Sequence, residues 1–157
     1  MLPTSVSTVL FLQTPLFFIH IIQAHALTES NYHTGSDKMN EVLPALFLGG
    51  VDAALDTELL QRSKVKSVLT VMRYEGLPAC YHVTNLPADI EHMHVEVYDS
   101  AAEESSLLPH LRKCTNFISA GRQKGGVLVH CFAGVSRSAT AVVAYLLAQV
   151  RLALERG

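Results

Sequence analysis

The stretch VLVHCFAGVSRSAT, Val127 to Thr140, changes character twice within fourteen residues. Val127 to Val129 is a β-branched and apolar strand core, Cys131 to Ser136 is a compact loop holding one glycine, and from Ser138 onward the residues are helix formers. A loop that wraps the start of a helix points successive backbone N–H groups into one concavity, and the helix dipole adds positive potential there. Such a concavity holds a dianionic phosphate through backbone groups alone. Arg137, six positions after Cys131, adds a planar fork for two of its oxygens. The same potential favours thiolate over thiol, so Cys131 is the candidate nucleophile.

Working outward, strands alternate with helices on both sides of this handover. EVLPALFLGG, from Glu41, reads as a short strand with a Pro-marked bend and a glycine stop; Asp52 then caps a helix over DAALDTELLQRSK. VKSVLTVM, Val65 to Met72, has no helical stripe and reads as a buried central strand. HMHVEV, His92 to Val97, alternates, with Met93, Val95 and Val97 on one face and His92, His94 and Glu96 on the other. Leu107, Leu108, Leu111, Cys114, Phe117, Ile118 and Gly121 recur at helical spacing, in a helix that ends near Gly125-Gly126. Ser138 to Leu154 is apolar on nearly every side. The expected fold is an α/β three-layer sandwich: a mostly parallel central sheet, helices on both faces, and the phosphate loop between a central strand and a helix N-terminus.

The 157 residues suit one domain, and 49% hydrophobic against 17% charged residues excludes a chain disordered throughout. A net charge of −2 gives no global field for nucleic acid, so none is expected as a partner. Three cysteines are too few for a disulfide scaffold and fit a reducing compartment. Cys114 belongs to a core stripe, and His92 and His94, lacking a third ligand nearby, form a packed or solvated pair, so no metal site is expected. Residues 1–38 form a separate apolar extension and linker. Met1 to Leu27 carries no Asp, Glu, Lys or Arg, and Ala24-His25-Ala26 matches a signal-cleavage pattern, but the positive n-region is missing and Gln13, Pro15 and His20 interrupt the run. Membrane contact is expected only if this segment is retained and inserts. The domain begins at Met39.

His130, Cys131, Gly134, Ser136, Arg137 and Ser138 together reproduce the motif of the dual-specificity protein phosphatases, a branch of the cysteine-based tyrosine phosphatases, and the chain from Glu41 to Gln149 resembles that family. Neither Cys80, with Leu86 six residues on, nor Cys114, with Ala120, matches. The resemblance implies a cysteinyl-phosphate enzyme without cofactor. Cys131 attacks phosphorus, while Arg137 and the N–H groups from Phe132, Ala133, Gly134, Val135 and Ser136 to Arg137 hold the phosphate oxygens. By the same resemblance Ser138 assists thiolate departure and His130 orients the cysteine. Asp99, 32 residues before Cys131 and just past the HMHVEVY strand, takes the place of the general acid, with Glu96, Glu103 and Glu104 as rivals.

No segment resembles the phosphotyrosine-recognition loop of tyrosine-only relatives, which implies a shallow cleft open to phosphotyrosine, phosphoserine and phosphothreonine on phosphoprotein partners, in cytoplasm or nucleus or, given the signal-like start, in a secretory or membrane-associated form. Two alternatives stand beside this: a catalytically silent phosphate-binding module, or the same chemistry on a phosphoinositide, RNA 5′-phosphate or glycogen phosphate. EVLPALFLGG and LRKCTNFISAGRQKGG look most like an atypical branch with a C-terminal zinc-binding tail, which this sequence does not contain. Relatives continue past the last helix, so the expectation for residues 39–157 is a catalytic domain incomplete at its C-terminus, with large apolar residues of that helix left facing water and free to mediate oligomers.

Overall fold

The computed structural model describes residues 39–97 and 107–156. Strand β1 (Met39–Leu43) and β2 (Leu46–Gly49) form an antiparallel hairpin, where one bent strand was expected. Pro44 and Ala45 make the turn, Ala45 in the left-handed region at φ 65°. The rest of the sheet is parallel: β3 (Val65–Val71), β4 (Glu91–Val95) and β5 (Gly126–His130), in the order β1-β2-β5-β3-β4. β5 is therefore the middle strand, and every one of its residues is buried.

Helices cover both faces, giving the three layers. On one face α1 (Val51–Leu55) and α2 (Thr57–Arg62) pack Ala53, Ala54, Leu59 and Leu60 against Val65, Val68 and Leu128. These are two helices where the sequence suggested one. Gly50, not Asp52, is the N-cap of α1, while Asp56 caps α2 by accepting from Leu59 N at 3.0 Å. On the other face α3 (Leu111–Lys124) and α4 (Arg137–Leu154) bury Cys114, Ile118, Ala141, Val142 and Tyr145 against Leu69, Val71, Val127 and Val129. Leu108 falls outside the expected stripe. It lies in a 3₁₀ turn (Leu108–His110) ahead of α3 and is exposed, because Pro109 gives this segment a tighter turn before the helix proper.

The last helix is not buried all round. Val143, Leu147, Leu152 and Leu154 face solvent, the last at 76% exposure, whereas Tyr145 is buried and accepts a hydrogen bond from Arg122 Nη1 at 2.7 Å. Among the described residues no helix is long and apolar enough to cross a membrane.

Candidate active site

The sheet positions the site because β5 ends at His130 and the chain turns at once into a loop, Cys131 to Ser136, that leads into α4. Gly134 sits at φ +78°, where L side chains are strained, and a Cβ there would lie 2.7 Å from the carbonyl carbon of Gly49. The loop is thus pressed onto the end of β2. Val51 N, at the start of α1, donates to Phe132 O at 3.0 Å and fixes the loop's first half. Thr140 N donates to Ser136 O at 2.8 Å and begins the hydrogen-bond ladder of α4.

Cys131 is almost entirely buried, and its Sγ accepts from Gly134 N and from Ser138 Oγ, each at 3.2 Å. Burial pushes the thiol pKa up, but the Ser138 hydroxyl, the Ser138 and Gly134 N–H groups and the Arg137 guanidinium outweigh it, so Cys131 is held below the ordinary thiol value. Arg137 is buried, and its Nη1 donates to Val97 O at 3.4 Å, which ties the first residue of α4 to the segment just past β4. The side chains of Phe132, Ala133, Val135 and Ser136 are exposed around the loop, with Phe132 in edge-on contact with Tyr81.

His130 is fully buried, and burial pushes its pKa down to about 4. Its Nδ1 lies 3.2 Å from Cys131 O and its Nε2 lies 2.7 Å from Thr70 Oγ1. A carbonyl only accepts, so Nδ1 carries the proton and Thr70 donates to Nε2. Thr70 was missed in the sequence, where its one signal is a hydroxyl inside the apolar run VKSVLTVM. The register places it directly beside His130.

The structure brings His130, Cys131, Gly134, Arg137 and Ser138 together. Asp99, Glu103 and Glu104 lie outside the described residues. His92 and His94 are engaged in hydrogen bonds, at 2.8 Å to Thr70 Oγ1 and 2.7 Å to Met72 O, and among the described residues no group of three or more His, Cys, Asp or Glu could hold a metal ion. Cys114 is buried in the core, and burial pushes its thiol up to about 11.

Residues 46–156 match the family described as "Dual specificity phosphatase, catalytic domain". Among curated relatives, dual specificity protein phosphatase 15 of Mus musculus is 36% identical over 112 residues, 69% of this chain and 43% of that protein. Dual specificity protein phosphatase MPK-4 of Drosophila melanogaster is 34% identical over 122 residues, 77% of this chain and 30% of that protein. The chain therefore spans less than half the length of these two relatives. Among solved structures, that of DUSP15 superposes with a TM-score of 0.60 at 33% identity, covering 75% of this chain and 72% of the other. A human tyrosine phosphatase-like serine/threonine/tyrosine-interacting protein superposes with a TM-score of 0.63 at 28% identity, over 74% of this chain and 80% of the other. A strand-to-helix loop with a buried, hydrogen-bonded cysteine at the end of the middle strand, and a family match over most of the chain, lead to one conclusion: this chain belongs to the dual-specificity phosphatase family.

Proposed function

We propose that this chain is a protein phosphatase that hydrolyses phosphotyrosine and phosphoserine or phosphothreonine through a cysteinyl-phosphate. The observation that carries the reading is the environment of Cys131: a thiol stabilised as thiolate by Gly134 N, Ser138 and Arg137 at the N-terminus of α4. The thiolate attacks phosphorus, the S–P bond forms as the P–O bond to the substrate breaks, and the leaving oxygen takes a proton from Asp99. Arg137 and the N–H groups of residues 132–137 offset the charge on the equatorial oxygens. Water, giving a proton to the Asp99 carboxylate left by the first step, then attacks phosphorus, and Cys131 leaves as thiolate, helped by the Ser138 hydroxyl already directed at Sγ.

No step calls for a metal or cofactor. Phe132, Ala133 and Val135 put no lysine inside the loop, which favours phosphoproteins over highly anionic inositides. We place the activity in the cytoplasm or nucleus. Membrane contact is confined to the case in which the apolar residues before Thr28 insert, and self-association would run through the outward row of Val143, Leu147 and Leu154.

The test is turnover of matched phosphotyrosine, phosphoserine and phosphothreonine peptides, phosphoinositides included, by the unaltered chain and by Cys131→Ser. Phosphopeptide hydrolysis should persist in chelator and vanish in Cys131→Ser, whose hydroxyl stays protonated. Phosphopeptide binding without turnover by the unaltered chain would point to a silent binding module, and turnover confined to phosphoinositides would move the substrate class.

A further inference from the structure

Thr70, which bridges the site to the sheet, has a second partner. His92 Nε2, from the neighbouring strand β4, lies 2.8 Å from the same Oγ1. Thr70 has a single hydroxyl proton, and that proton goes to His130 Nε2, because His130 is neutral and its Nδ1 proton is spent on the Cys131 carbonyl. Thr70 must therefore accept from His92. The hydrogen bonds then run one way, from His92 Nε2–H to Thr70, from Thr70 O–H to His130 Nε2, and from His130 Nδ1–H to Cys131 O. His92 itself is partly open to solvent on the edge strand of the described sheet, so the chain of bonds connects the surface to the head of the phosphate loop.

The surroundings hold His92 in that role. Its ring is parallel to that of His94, with centroids 6.3 Å apart. His94 is anchored by Met72 O and contacts the Tyr74 ring at 4.4 Å, and Tyr74 stacks on His82 at 4.5 Å. The titratable groups around the relay are thus His94 on β4, His130 at the end of β5 and Cys131 just after it, with Tyr74 packed on His94 and His82 behind Tyr74 from the segment after β3.

We propose that His92 is a positioning residue for the nucleophile: donating from Nε2, it keeps the Thr70 hydroxyl turned to His130, and so keeps His130 as the Nδ1–H tautomer that grips the Cys131 carbonyl. Its kinetic consequence rests on the phosphatase reading above, whereas its structural content does not. Partial burial of the ring lowers the pKa of His92, with His94 adding to the effect, which favours the neutral imidazole as donor.

Three measurements decide it. Long-range ¹H–¹⁵N spectra of the unaltered chain should show His130 protonated on Nδ1 and His92 on Nε2; the opposite tautomer at either ring overturns the proposal without any variant. His92→Phe should lower kcat/KM about fivefold, the worth of one neutral hydrogen bond, and move the pH midpoint of Cys131 alkylation upward. His92→Gln, whose side-chain amide offers an N–H near the Nε2 position, should recover most of both losses. A His92→Phe chain with an unchanged alkylation midpoint, or a His92→Gln chain as impaired as His92→Phe, would show that the ring only fills space. A chain that hydrolyses no phosphopeptide would end the phosphatase reading, but the spectra and the alkylation midpoint would still judge His92.

Discussion

Cys131 and Cys114 are both buried, and the fold moves their thiols in opposite directions. Around Cys114 burial dominates, and the thiol rises to about 11. Around Cys131 burial is as real, but two N–H groups, the Ser138 hydroxyl and the Arg137 charge turn the balance toward thiolate. Since only the thiolate reacts, iodoacetamide at neutral pH should modify Cys131 and spare Cys114, and the Cys131 rate should hold up as pH falls below the ordinary thiol midpoint of ~8.5. Peptide mass mapping across pH 5.5–8.5 checks this, and Cys114 labelled ahead of Cys131 would contradict it. Exposed Cys80 serves as the internal reference for an accessible thiol. At this scale the candidate nucleophile was legible because the groups that bond its sulfur, Gly134 and Ser138, are close to it in the chain. Thr70 was not, because its partner lies 60 residues away and only strand register pairs them.

The same division between contiguous and remote information holds for the elements. VKSVLTVM announced a buried strand through composition alone, yet nothing in it marks the irregularity by which Val65 pairs with Gly126 and Ser67 with Val127, one extra residue on β3. That bulge turns Val65 to the α1–α2 face along with Val68 and leaves Ser67 facing α3. There Gly121 lets the helix come close, since a Cβ on it would sit 2.9 Å from both Ser67 Cβ and Val127 Cβ. The cost falls on Ser67: its Oγ is buried and has no hydrogen-bond partner among the described residues. A buried polar group left unpaired costs ~1–3 kcal/mol, so Ser67→Ala, which removes the oxygen and adds no volume, should stabilise the chain by about 1 kcal/mol. Urea unfolding measures it, and a loss of stability would mean that Ser67 Oγ is satisfied in solution. The hairpin and the split of α1 from α2 escaped the sequence for a related reason. Ala45 takes the left-handed turn without being glycine, and Asp56 reads as one more polar residue on a helix until its side chain is seen to cap the next one.

For the molecule as a whole, alternating strands and helices made the three layers readable, because the order of elements nearly determines a parallel sheet with covered faces. The site then had to fall at the carboxyl end of the middle strand. That placement also joins the candidate site to stability, for His130 is at once the last residue of β5, fully buried, and bonded to the Cys131 carbonyl at the head of the loop. Its folded pKa of about 4 lies below the ordinary histidine value of 6.5, so between those limits the unfolded chain binds a proton that the folded chain refuses. Stability therefore rises with pH across this window. The contribution is fully present above about pH 6.5 and is lost as pH falls toward 4, amounting to about 3 kcal/mol from 2.303RT per pH unit. His92, also shifted down, acts in the same direction. Against a typical domain stability of ~5–15 kcal/mol this is a large share. Urea unfolding free energy should accordingly drop by roughly 2–3 kcal/mol between pH 7 and pH 4.5. In His130→Asn, which carries no titrating ring at this position, the drop should be much shallower whatever the variant's stability at pH 7. An equally steep pH dependence in that variant would show that groups other than the buried imidazole set the acid limit of the fold.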